Sequence, residues 1–204
     1  MAQEAKSLSP SQWEQEYSKG TPHWAEDKNP SKFAQDFVKL MQEEKCHSLL
    51  EIGCGNGRDS IFFSNAGFRA IAIDVSESAV ELAEGNIKEA KARVNIQVAN
   101  AEKLPFKNRE FDAVFSLSVL HSTNLKKSLS EVDRVLRSGG IAFIYIYGDT
   151  QYATGKVKDI IATNDYIELL KSIGFIILDF YTEQEEDFDE YGERHKLLIA
   201  TLRG

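Results

Sequence analysis

LLEIGCGNGRDS, residues 49–60, decides how the rest of the chain is read. A short apolar run leads straight into three alternating glycines, Gly53, Gly55 and Gly57, and then into a predicted helix. Glycines in that place permit a tight turn and let backbone approach a ligand with no Cβ in the way. The stretch therefore predicts a buried strand that ends at a ligand-facing edge.

The surroundings fit a soluble enzyme or binding domain. The chain has 204 residues, 42% hydrophobic and 27% charged, which suits a single domain with a sizeable core. Its net charge of −8 argues against a non-specific nucleic-acid binder and against an anionic membrane surface, because both require a basic face. Nucleic acid and membrane are thus excluded as expected partners. Cys46 and Cys54 lack metal-type spacing and read as reduced thiols in a cytoplasmic protein. The opening MAQEAKSLSP has no apolar core of a signal peptide, and no apolar run approaches ~20 residues.

From His47 onward strand and helix patterns alternate. Strands are predicted at HSLLEIG, RAIAID, VNIQVAN, FDAVFSL and GIAFIYIY. Amphipathic helices lie between them, one with Val80, Ala83, Ile87 and Ala90 on a stripe, another with Leu125, Leu129, Val132 and Leu136, ended by Gly139-Gly140. That alternation means an α/β fold, a parallel sheet with helices on both faces. NDYIELLKSIGF reads as a last helix, and FIILDFY and HKLLIATLR as two antiparallel strands joined by an acidic solvated hairpin, Glu183–Glu190. Residues 1–45 read as an N-terminal helical segment and 46–204 as the core of the same domain. Ser9, Pro10 and Gln12 start a helix that runs to about Lys19, and a second helix carries Phe33, Phe37, Leu40 and Met41 on one face.

In such a sheet ligands bind at the carboxyl ends of the strands. A dinucleotide or an adenosyl sulfonium fits the glycine turn. The spacing Gly53-x-Gly55-x-Gly57 departs from the G-x-G-x-x-G of a dinucleotide loop, and Glu51 places a carboxylate beside it for a ligand ammonium. Asp74 ends the second strand, where an acid accepts from two ribose hydroxyls and serves either ligand. Asn100, Ala101 and Glu102 end the third strand, within reach of an adenine amino group and ring nitrogen. SLSVLHST ends the fourth, where a backbone carbonyl can accept from an ammonium. His121 in that stretch orients or deprotonates an acceptor, or is simply hydrogen-bonded at a loop start. Arg58 and Asp59 read as helix-surface and first-turn residues.

Taken in order, EIGCGNG, Asp74, NAEKLPF, FDAVFSLSVLH and EVDRVLRSGG resemble a class I S-adenosylmethionine-dependent methyltransferase, in detail over residues 47 to about 147. The resemblance implies a Rossmann-like seven-stranded sheet in the order 3-2-1-4-5-7-6 with strand 7 antiparallel. It implies S-adenosyl-L-methionine as cofactor, S-adenosyl-L-homocysteine as product, no metal, and a small-molecule methyl acceptor. Cofactor contacts are implied at Trp24, Glu51, Gly53, Cys54, Gly55, Asn56 and Gly57. Asp74, Val75, Asn100, Ala101 and Glu102 follow, then Ser116, Leu117 and His121, with His121 also the candidate catalytic residue. WEQEYSKGTPHW resembles the N-terminal lid of thiopurine and tellurite-resistance methyltransferases; Trp13, Tyr17, His23 and Trp24 there either cover the cofactor or pack on the sheet. His195 falls at the cleft edge or merely on a strand end. A cofactor-binding protein without turnover and a nucleotide-cofactor oxidoreductase are the alternative functions. A monomer or weak homodimer is expected.

Overall fold

The computed structural model describes residues 9–155, 157–185 and 193–204. Its strands are β1 (Ser48–Ile52), β2 (Arg69–Asp74), β3 (Val94–Val98), β4 (Phe111–Leu117), β5 (Leu136–Tyr152), β6 (Val157–Asp159), β7 (Ile176–Gln184) and β8 (Glu193–Arg203). The helices are α1 (Pro10–Ser18), α2 (Lys32–Glu43), α3 (Arg58–Asn65), α4 (Glu77–Ala90), α5 (Leu125–Val135) and α6 (Thr163–Ile173). The sheet order is β3-β2-β1-β4-β5-β8-β7. β1 to β5 pair in parallel, and β8 runs antiparallel between β5 and β7. This is the expected seven-stranded order, with β7 and β8 as its sixth and seventh strands. The short β6 was not expected; it pairs antiparallel with the far end of β5.

Period-two alternation sorts the core. Leu49, Phe115 and Phe143 face one side, against Phe37 and Met41 of α2 and Phe63 of α3. Leu50, Val114 and Ile144 face the other, against Leu129 and Val132 of α5 and Tyr166 and Leu170 of α6. Ala83 and Ile87 of α4 close over Ala72 of β2. Central strands buried on both faces explain why they read as unbroken apolar runs. Of the first 45 residues, α2 is embedded in this core, while α1 has no buried residue.

Three local expectations are corrected. Ala90 is exposed at the end of α4 rather than part of its buried stripe. α5 stops at Val135, short of Gly139-Gly140, because Leu136 turns extended, buries its side chain and pairs with Phe111. β5 runs beyond Tyr147 to Tyr152 because β8 pairs along it as far as Glu193. The acidic segment expected as a hairpin lies mostly outside the described residues.

Asp112 ties β4 to the entrance of β1. Its Oδ2 accepts from the backbone N–H of His47 at 2.7 Å and of Ser48 at 2.9 Å, and Arg137 reaches Oδ1 at 2.8 Å. Partial burial pushes this carboxyl up, but the two backbone donors and the guanidinium outweigh it and hold it below the usual range. Asp112→Ala should therefore cost about 2 kcal/mol of unfolding free energy at neutral pH, read from urea denaturation. A depressed carboxyl stabilises above its unfolded-state value and loses that contribution as pH falls through the folded one. The gap between wild type and variant should close below about pH 4.

Candidate functional site

The carboxyl edge of the sheet opens into a cleft of about 830 Å³, within the upper part of the range for small-ligand sites. Its floor is the glycine turn. Gly53, Gly55 and Gly57 have φ of +77°, +52° and +78°, a region that other residues rarely adopt. Gly53 has a second reason to lack a side chain: a Cβ there would lie 2.1 Å from the Val119 side chain, so the turn after β4 packs directly on it. Above Gly55 the nearest atom to such a Cβ is the Tyr17 hydroxyl at 2.9 Å. Gly57 caps α3 and faces Ala83 rather than the cleft.

Acids gather around this turn. Asp74 accepts from Gly55 N–H on Oδ2 and from Ser76 N–H on Oδ1, each at 3.0 Å. Glu51 is buried and accepts from the Ser60 hydroxyl. Asp59, expected at the helix surface, is instead buried; its oxygens accept from the Ser31 N–H at 2.7 Å and the Ser31 hydroxyl at 2.9 Å. Its reason is the N-cap of α2, which Ser31 provides by accepting from Ala34 N–H. Burial raises the carboxyls of Glu51, Asp59 and Asp74 above the usual range, and Asp59 adds to the rise at Glu51. A cluster of acids strained toward neutrality favours a cationic ligand.

Other expected residues have local duties as well. The Asn56 amide donates to Ala25 O at 2.7 Å and Asp27 O at 2.9 Å, clasping the N-terminal segment. Asn100 Oδ1 accepts from Glu102 N–H at 2.8 Å, and Glu102 Oε1 accepts from Asn124 N–H at 2.9 Å. Cys54, Val75, Ala101, Leu117 and His121 line the cleft, and Cys54 is a free, buried thiol raised chiefly by burial. Ser116 does not line it: the residue is fully buried and its hydroxyl has no partner. Tyr147 N–H donates to His121 Nδ1 at 3.5 Å, and the two rings lie 4.3 Å apart. His195 is buried beneath, stacked on Tyr147 at 3.9 Å.

The chain's first helix lies across the opening. Trp13 and Trp24 meet edge to face at 6.2 Å, and Trp24 bonds the Tyr17 hydroxyl. Burial, then the nearby Asp74, pushes the Tyr17 phenol up to about 12. Glu14 fastens α1 to the start of α4, accepting from Ser76 Oγ at 2.8 Å, Ser78 N–H at 3.1 Å and Ser78 Oγ at 2.5 Å. Those hydroxyls hold the Glu14 carboxyl below the usual range.

Some cleft residues were not singled out from sequence. Phe33, Tyr145, Tyr147 and Glu193 line it, and Ser118 sits at its edge with φ +58°. The alternation in GIAFIYIY carried the signal for Tyr145 and Tyr147, which share a face. Nothing local marked Phe33 or Glu193.

A doubly wound sheet with a glycine turn after its first strand and an acid ending its second defines a nucleotide-ligand-binding α/β domain. Residues 50–144 match the family model described as a methyltransferase domain. An uncharacterised protein of Methanocaldococcus jannaschii is 36% identical over 117 residues, 57% of this chain and 43% of that one. A sterol 4-C-methyltransferase of Caenorhabditis elegans is 31% identical over 133 residues, 63% of this chain and 35% of that one. The chain thus spans less than half the length of these two curated relatives. The solved 1,6-didemethyltoxoflavin-N1-methyltransferase of Burkholderia thailandensis shares the fold at TM-score 0.72 and 20% identity, over 95% of this chain and 86% of that one. Residues 50–144, a little under half of the chain, are thus similar to the methyltransferase domain family.

If Glu14 is what holds α1 shut, Glu14→Ala should speed amide hydrogen exchange across residues 11–18 by about tenfold or more, with β1 and β4 unchanged. Unchanged exchange would assign the hold to Trp13 and Tyr17 instead.

Proposed function

We propose that this protein is an S-adenosylmethionine-dependent methyltransferase that acts on a small-molecule acceptor by in-line displacement. The observation that carries the reading is the convergence of Glu51, Asp59 and Asp74 on a glycine turn covered by Tyr17 and Trp24. Those acceptors fit a cofactor that is cationic at both sulfonium and ammonium. The turn's backbone from Gly53 to Asn56 would hold the amino-acid end, with Glu51 beneath it. Asp74 keeps lone pairs for ribose hydroxyls, and Val75, Asn100, Ala101 and Glu102 would frame the adenine. A backbone carbonyl at the exit of β4, by Leu117, would accept from the ammonium.

When bound, S-adenosylmethionine supplies a methyl carbon already activated by the sulfonium charge. The chain's own contribution is to align the acceptor and exclude water, which α1 and Trp24 do from above. Because Tyr147 N–H donates to His121 Nδ1, a neutral His121 carries its proton on Nε2. It then orients an acceptor by donating to it rather than by taking its proton. The N-terminal WEQEYSKGTPHW resembles the lid of thiopurine and tellurite-resistance methyltransferases, and that resemblance favours a small acceptor over a macromolecule. The acidic balance of the chain favours it too, and the two free thiols suit a cytoplasmic setting.

Calorimetry should show that S-adenosylhomocysteine binds and NAD does not. Asp74→Ala should weaken that binding about tenfold or more, since bonds to a charged acceptor contribute about 1.5–3 kcal/mol. Methyl transfer from labelled S-adenosylmethionine should appear with at least one member of a panel of small thiols, amines and phenols. Preference for NAD, or Asp74→Ala binding like wild type, would overturn the assignment.

A further inference from the structure

The glycine turn is rich in acceptors and poor in donors. The N–H groups of Gly53 and Cys54 go to Ile73 O, that of Gly55 to Asp74, that of Gly57 to Cys54 O and that of Arg58 to the Asn56 side chain. Only the Asn56 N–H has no acceptor among the described residues. Glu51, Asp59 and Asp74 add further acceptor oxygens. Carbonyls and carboxylates suit the ammonium and the ribose hydroxyls of an adenosyl amino acid. They do not suit its carboxylate, which needs hydrogen-bond donors.

A donor stands on the cover instead. Tyr17, in the last turn of α1, reaches down until its hydroxyl lies 2.9 Å from the point where a Gly55 Cβ would be. Within 4 Å of that point lie atoms of Tyr17 alone, so the missing side chain of Gly55 makes room for this one hydroxyl. Trp24 donates its indole N–H to the Tyr17 oxygen, which turns the phenolic proton away from Trp24. That proton has no acceptor among the described residues; Asp74 acts on the phenol through its charge, while its oxygens take the N–H groups of Gly55 and Ser76. At about 12, the phenol remains a donor at neutral pH. Arg58 lines the same cleft and acts on the phenol with the opposite sign to Asp74. Glu14, three residues before Tyr17 and so on a neighbouring position of the helix face, fastens α1 to Ser76 and Ser78 and keeps the hydroxyl over the turn.

We propose that Tyr17 holds the carboxylate of the cofactor's amino-acid end, its hydroxyl donating from above with the Asn56 N–H as second donor, while Glu51 and the turn's carbonyls take the ammonium. The proposal rests on the methyltransferase reading above and deepens it. It makes the cover a reader of the cofactor: a nucleoside without the carboxylate would fill the floor of the cleft and leave α1 unengaged.

Three ligands that differ only at this end test it by calorimetry. They are S-adenosylhomocysteine, its decarboxylated form, which keeps the ammonium, and methylthioadenosine, which lacks the whole amino-acid end. Tyr17→Phe keeps the ring and removes the donor. It should weaken S-adenosylhomocysteine binding about tenfold or more and change the other two by less than about twofold. Unchanged methylthioadenosine binding also shows that the variant is folded. S-adenosylhomocysteine binding Tyr17→Phe like wild type would overturn the proposal. So would an equal loss for all three ligands, which assigns Tyr17 to packing or to the ribose, or an equal loss for the two that carry the ammonium. In each of these cases wild type still binds S-adenosylhomocysteine and the methyltransferase reading stands. Wild type binding neither S-adenosylhomocysteine nor methylthioadenosine would overturn that reading and this proposal with it.

Discussion

Two successive N–H groups, those of Gly53 and Cys54, donate to the single carbonyl of Ile73, at 2.8 and 3.0 Å. This three-centre clasp joins the exit of β1 to the end of β2. It holds because the chain there adopts left-handed backbone that only glycine takes without strain. Once β1 leaves the sheet at that angle, the rest of the site has little freedom. Val119 packs into the space a Gly53 side chain would occupy, which brings the turn after β4 against the glycine turn. Asp74, one residue past the clasp, accepts from Gly55 N–H and so braces the turn it faces. Strand ends, turn and acid form one object rather than separate motifs.

Much of this was legible because it is local. Strand ranges such as RAIAID and FDAVFSL coincide with β2 and β4, since a strand buried on both faces leaves an unbroken apolar run. The alternation with helices gave a parallel sheet and two terminal strands without a helix between them an antiparallel pair, while the order of the strands came from the resemblance to class I methyltransferases. Long-range partners are what the sequence hides. Asp59 looks like any first-turn acid of a helix until Ser31, 28 residues earlier, is placed beside it. Leu136 continues a helical stripe on paper, but Phe111 draws it into β5. Asn56 reads as a ligand contact, and the sequence gives no sign that its amide also ties down the backbone of Ala25 and Asp27. In each case tertiary pairing outweighs a local preference.

The N-terminal segment divides by chemistry. α2 carries Phe37 and Met41 into the core and is held by area buried from water. α1 buries no residue and depends on polar latches and aromatic edges. Elements held that way open at low free-energy cost, while their scaffold stays closed. The cover of the cleft is thus held by fewer buried side chains than its floor.

The position of β8 has a consequence for how the molecule comes into being. The last strand of the sequence does not lie at the edge of the sheet but between β5 and β7, paired along both. β7 pairs only with β8, which follows it directly, and it is the pairing of β8 with β5 across α6 and β7 that has the long sequence separation expected to form late in folding. Glu193 and His195 ride on β8, whereas Gly53 directly follows β1 and Asp74 ends β2. The glycine turn and the acids around it depend on strands formed early in the sequence, whereas Glu193 at the cleft and His195 beneath Tyr147 arrive only with β8.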